Sequence, residues 1–176
     1  SMPIKRTSLG RFKHENAEIV ISKDGRVVVY MGDDEANEFL YKFVSKNTYD
    51  KENKSANKDI LDEGTLYVAK FYDNGHNLDG KGEWIELVWG KNGLDKSNGF
   101  ESQADICVNT RIAASIVGAT PMDRPEWIAA DNKGQYIYAT MTNNTKRKAN
   151  ETNSANPRAN NLYGQIIRFR ESGDNN

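Results

Sequence analysis

The feature that most constrains this chain is an internal echo. Glu18-Ile-Val-Ile-Ser-Lys-Asp-Gly-Arg-Val-Val-Val-Tyr30 returns as Trp127-Ile-Ala-Ala-Asp-Asn-Lys-Gly-Gln-Tyr-Ile-Tyr-Ala139, with Gly25 matching Gly134, 109 residues later. Each copy is an apolar run, a polar turn and a second apolar run. Lys23-Asp24-Gly25 carries the Asp-Gly pair that closes tight hairpins, because glycine supplies the positive φ such turns demand. Each copy is followed by a polar patch and a third run, Phe39-Leu-Tyr-Lys-Phe-Val44 and Gly164-Gln-Ile-Ile-Arg-Phe169. A repeated three-strand meander with this offset fits β-propeller units, which run about 40–50 residues per blade. The expectation is an all-β chain with one helix, a partial β-propeller of about three blades of antiparallel meander; a sandwich is the alternative.

Other runs fit that frame. Thr65–Tyr72 and Glu83–Trp89 form a further strand pair, assigned to a unit between the two copies. Asp105–Val117 predicts one helix, with Ile106, Ile112, Ala113 and Ile116 on its apolar face and Gly118 ending it. Ser45–Gly64 and Asn143–Asn161 are long polar stretches, read as loops; Asn156-Pro-Arg158 gives the second more functional weight. With 24 Lys+Arg against 25 Asp+Glu the net charge is −1, which offers no attraction to nucleic acid or an anionic membrane. No apolar run approaches the length of a membrane span. Cys107 is the one cysteine, too few for a disulfide framework or a thiolate metal site, and its apolar context predicts an inert thiol. Residues 1–2 read as a cloning scar, 3–170 as a piece of a propeller domain, and 171–176 as a polar tail.

In an antiparallel hairpin the start of one strand and the end of its partner share one side of the sheet. The echo therefore gathers Glu15, Asp33 or Asp34, Arg124, Glu126, and Asn143 or Asn144 on one face. Carboxylates and amide oxygens form a hard ligand set suited to Ca²⁺ rather than Zn²⁺. An arginine beside them presents a planar fork that matches phosphate bidentately. Oxygen ligands plus arginine suit phosphoryl transfer, while the plainer reading is that acids and asparagines are ordinary turn residues.

Leu9-Gly-Arg-Phe-Lys-His-Glu15, Asp62-Glu-Gly-Thr-Leu-Tyr-Val-Ala-Lys-Phe71, Met122-Asp-Arg-Pro-Glu-Trp127, Thr142-Asn-Asn144, Asn156-Pro-Arg158 and Tyr163-Gly-Gln-Ile-Ile167 occur in that order. With these the chain resembles the PhoX-type alkaline phosphatases, secreted bacterial β-propeller enzymes, over nearly its whole length. The resemblance implies hydrolysis of phosphate monoesters at an iron and calcium cluster on the propeller axis, in the periplasm or outside the cell. It implies that Glu15 and Glu126 hold the cluster and that Asp34 is a Ca²⁺ ligand, with Asp33 as the register alternative. Arg124 matches the arginine that contacts phosphate; Asn144 and Asn156 stand in motif positions without an assigned role. The resemblance also implies that the family's iron-binding cysteine lies in a region outside this chain, so Fe³⁺ is expected in the longer parent and the cluster is expected to be incomplete in this piece. A calcium-stabilised propeller that binds without turnover is the alternative function, and a lactone-type propeller hydrolase a third.

Further expectations concern single residues. His76 reads as solvated, and Asp73, Asn77 and Asp79 around it fit a calcium loop poorly. Lys146-Arg147-Lys148 reads as a solvated loop, and Trp84, Trp89 and Trp127 as core. A three-blade piece leaves open sheet edges, which invites self-association.

Overall fold

Both echoed hairpins close on a glycine at positive φ, Gly25 at 83° and Gly134 at 65°, the conformation for which an Asp-Gly or Lys-Gly turn selects. A computed structural model of the chain describes residues 2–75 and 79–172. The expectation for His76 and Asn77, and for the tail beyond Ser172, lies outside the described residues.

The first sheet runs in the order β1-β2-β3-β4-β5, and the second in the order β6-β7-β8. The strands are β1 (His14–Ile21), β2 (Arg26–Asp33), β3 (Leu40–Thr48), β4 (Gly64–Phe71), β5 (Gly82–Glu86), β6 (Pro125–Ala130), β7 (Ile137–Met141) and β8 (Gln165–Phe169). All neighbours within a sheet are antiparallel. All eight expected strands are present, with shifted ends, and the chain belongs to the all-β class of antiparallel meanders.

Two expectations are corrected. The pair now numbered β4 and β5 does not form a unit of its own: β4 pairs with β3 from Tyr41↔Val68 to Ser45↔Gly64 and extends the first sheet. The described residues thus make two sheets, not three. The single helix is two, α1 (Gln103–Val108) and α2 (Thr110–Ile116), broken at Asn109 with φ −107° and ψ 41°. The break has a local cause. The Thr110 hydroxyl donates to the carbonyls of Ile106 and Cys107 and accepts the backbone N–H of Arg11, so a side chain competes with backbone N–H groups for the helical ladder. Restarting the helix also breaks the apolar stripe: Ile106, Ala113 and Ala114 are buried, whereas Ile112 and Ile116 are exposed.

β2 explains how the layers stack. Val27–Asp33 is buried without interruption, the pattern of a strand covered on both faces. Val27, Val29 and Met31 join Tyr41, Phe43, Leu66, Val68 and Ile106 in a core beneath the helices. Val28 and Tyr30 turn the other way and pack, with Leu40 of β3, against Ile128, Ile137 and Ala139 of the second sheet. The first sheet is therefore the middle layer. Trp84 contributes to the second core, but Trp89 and Trp127 are exposed, against expectation. Cys107 is half-buried, and burial raises its thiol pKa, which fits an inert thiol.

At the first hairpin Asp24 accepts from Arg26 Nε at 2.6 Å and from the Ser22 hydroxyl. These bonds, Arg26 first, hold its carboxyl at about 2 against an ordinary 3.8. A depressed folded-state pKa means the contribution is full above the unfolded value and is lost as the pH falls from about 4 to about 2. A carboxyl-carbon NMR titration is expected to place the Asp24 midpoint near the lower value; a midpoint at 3.8 would remove the claim. With the side chain more than a third exposed, the effect on stability is small.

Candidate functional site

Two edge strands, β1 and β6, meet through side chains. Asn16 Nδ2 donates to the Ile128 carbonyl at 2.7 Å, and Asn16 Oδ1 accepts the Ile128 N–H at 2.8 Å. Glu18 Oε1 accepts the Ala130 N–H at 3.0 Å. These amide and carboxylate groups satisfy edge-strand backbone without a main-chain ladder. On the other flank Gly32 of β2 lies against β6 so closely that a Cβ there would meet the Glu126 carbonyl oxygen at 2.7 Å and the Pro125 carbonyl oxygen at 3.0 Å. Glycine sets that approach, and it brings the end of β2 to the start of β6.

Both of these edge strands begin irregularly. Register shifts fall between His14 and Ala17 in the β1–β2 pair and between Pro125 and Ile128 in the β6–β7 pair. Such bulges redirect side chains next to functional sites. Glu15 lies in the first and Glu126 in the second. Among the described residues, neither carboxylate takes a hydrogen bond or an ion pair with the protein. Glu15 is exposed and Glu126 half-buried.

Arg124 stands beside them in an unusual backbone state. Four residues other than glycine have positive φ among the described residues: Asn37, Asn92, Asn160 and Arg124, the last at 51°. Asparagine tolerates this region, while an arginine there is held against a steric preference of roughly 1–2 kcal/mol. Its N–H donates to the Met122 carbonyl at 3.1 Å and its own carbonyl accepts from Thr142 N at 3.2 Å. Its guanidinium spans two partners. Nη2 lies 3.0 Å from Asp34 Oδ1, Nε donates to the same oxygen at 3.2 Å, and Nη1 donates to Asn143 Oδ1 at 2.9 Å. The strand-end reasoning placed these three residues on one face, and they touch.

The neighbouring aspartates have separate surroundings. Asp33 is wholly buried and receives Arg111 in a fork, Nε to Oδ2 at 2.7 Å and Nη2 to Oδ1 at 2.6 Å, plus the N–H of Lys13 at 3.1 Å. Its oxygens are occupied. Asp34, facing Arg124 and partly exposed, is the one of the pair open to the site.

Asn144 and Asn156 are buried beneath the site. Asn144 Nδ2 donates to Asn37 Oδ1 at 2.9 Å and to Asp123 Oδ1 at 3.0 Å. Asn156 Nδ2 donates to the Pro121 carbonyl at 3.1 Å, and its Oδ1 is buried without a partner. The basic cluster is corrected here. Arg147 is only 4% exposed, and its Nε donates to Asp123 Oδ1 at 2.5 Å. Three consecutive basic residues read as solvated because no local pattern marks the middle one as the partner of an aspartate 24 positions earlier. Arg111 was missed likewise, since an arginine on a short helix gives no sign that it reaches the end of β2.

The donor chemistry tests a metal. Glu15 and Glu126 are uncommitted oxygen donors and Asp34 is half-committed to Arg124. No group of three or more His, Cys, Asp or Glu side chains could hold an ion among the described residues. These residues do not complete a metal site by themselves. The arrangement they do form is a cation fork, rigidly backed, beside free carboxylates: an anion contact next to oxygen donors.

Over residues 1–176 the chain matches the family model described as alkaline phosphatase PhoX. Among solved structures it is similar to Pseudomonas fluorescens PhoX in complex with vanadate, a transition state analogue. The TM-score is 0.95 and the identity 54%, covering 99% of this chain and 31% of that one. The chain thus spans about a third of the length of that relative. No curated protein matches.

Proposed function

Because the chain belongs to the PhoX alkaline phosphatase family, we propose that it supplies the phosphate-contacting part of a longer phosphomonoesterase. In this reading the Arg124 fork takes two oxygens of the phosphoryl group, and Glu15 and Glu126 with Asp34 lend carboxylates to a calcium and iron cluster completed by residues outside this chain. The observation that carries it is Arg124 itself, held at positive φ by backbone bonds on both sides and aimed by Asp34 and Asn143. Preorganised donors directed at developing charge are what phosphoryl transfer requires of a protein. The metals, when bound, would neutralise phosphate oxygens and orient a nucleophile. Vanadate bound to the Pseudomonas fluorescens relative supports a phosphoryl-transfer site in this chain too. The family resemblance supports a periplasmic or extracellular location.

The test is turnover by the full-length protein. Hydrolysis of p-nitrophenyl phosphate, inhibited by vanadate and abolished by chelation of metal, is expected. No hydrolysis by the fully metallated protein would sink the reading.

A further inference from the structure

We propose that the buried Asp123–Arg147 ion pair is a positioning device that holds Arg124 in its phosphate-binding pose. Asp123 precedes Arg124 directly, is wholly buried, and has both carboxylate oxygens satisfied. Its donors come from three places around the site. Arg147 Nε and Asn144 Nδ2 reach Oδ1, and Asn161 Nδ2 reaches Oδ2 at 3.1 Å. One of these donors, Asn144, leads to both groups that Arg124 touches. Asn144 adjoins Asn143, which accepts from Arg124 Nη1. The same Asn144 amide bonds Asn37, at the far end of the turn that starts at Asp34. The backbone follows suit: Asp123 bridges Ala36, Asn37 N donates to the Met122 carbonyl, and Asn144 and Asn161 bond each other both ways.

Arg147 locks the hub. Its Nη1 donates to the Glu151 carbonyl at 2.9 Å and its Nη2 to the Pro121 carbonyl at 2.9 Å. One guanidinium therefore ties the turn before Arg124 to the loop after β7. Lysine at this place keeps the charge but can satisfy only part of the fork. The strained φ of Arg124 is then the consequence of a network that over-determines the turn, which is how such backbone states persist. Arg147 and Asp123 touch no phosphate; they act through Arg124.

The ligand named here rests on the phosphatase reading, so the test has an arm independent of turnover. In the full-length protein, Arg147→Lys is expected to lower kcat/KM for p-nitrophenyl phosphate by about 100-fold, the scale of a displacement near 1 Å. Affinity for inorganic phosphate as a product inhibitor is expected to weaken alongside. In an Arg124→Ala background the same substitution is expected to change neither, because the group it positions is gone. Equal losses in both backgrounds, or none in either, would overturn the proposal. A crystal structure of the Arg147→Lys protein decides it without activity. Arg124 should leave Asp34 and Asn143; Arg124 retained at φ near 51° with both contacts intact overturns it. Should Arg147→Lys fail to fold, Asn144→Ser cuts the link between Asp123 and Asn37 without stranding a charge, and the same two readouts apply.

Discussion

Replacing Arg124 with alanine in the full-length protein is expected to lower kcat/KM for a phosphate monoester by about 10²–10³-fold, the scale for loss of one preorganised donor group. Three nitrogens of this side chain are already directed by Asp34 and Asn143, so little ordering remains when a phosphate arrives. Lysine is expected to recover only a small part, because a point charge cannot reproduce a planar fork. Folding should hardly respond. The Arg124–Asp34 pair is partly exposed and such pairs contribute about 0–1 kcal/mol, while alanine inherits the same positive φ and the same strain. The signature is thus a large kinetic loss at an unchanged melting temperature. Full activity in Arg124→Ala would remove this arginine from the site.

Gly32→Ala carries the second large effect, and it should strike stability and activity together. The added Cβ would meet Glu126 and Pro125 backbone atoms at 2.7–3.0 Å, and backbone of a neighbouring sheet cannot turn aside as a flexible side chain can. Overpacking of this kind costs about 1–3 kcal/mol. Its geometric outcome is a wider gap between β2 and β6. That gap separates Asp34, just past the end of β2, from Arg124 and Glu126 around the start of β6. Urea unfolding of the variant should show a lower midpoint, and phosphatase assays of the full-length protein a lower kcat/KM. A variant with both quantities at wild-type values would mean that the close approach of the two sheets is dispensable.

Much of the architecture was legible because it is periodic. The echo around Gly25 and Gly134 reports two equivalent hairpins, and hairpin geometry alone brings strand ends to one face. That reasoning put Arg124 on one face with Asp33 or Asp34 and with Asn143 or Asn144; the tertiary structure selects Asp34 and Asn143 as its partners. The same reasoning assigned β4 and β5 to a separate unit because sequence offset counts residues per blade, whereas strand pairing decides membership, and β4 found the open edge of β3. The helix broke at Asn109 because the Thr110 hydroxyl takes the carbonyls of Ile106 and Cys107, a side-chain bond that apolar periodicity does not report. Asp33 and Asp34 differ in neither type nor local context. Burial under Arg111 distinguishes them, and that contact joins positions 78 apart.

Sequence by itself determined what is local or repeated: the alternation that makes strands, the glycines that close hairpins, and the ordered motifs that identify the family. Only the tertiary structure decided which polar groups are free. Arg147 and Asp123 are spent on each other and Asp33 on Arg111, while Glu15 and Glu126 are left open in their bulges. The physical reason is that a side chain's availability depends on burial and on partners from distant segments, and neither leaves a periodic trace in the chain.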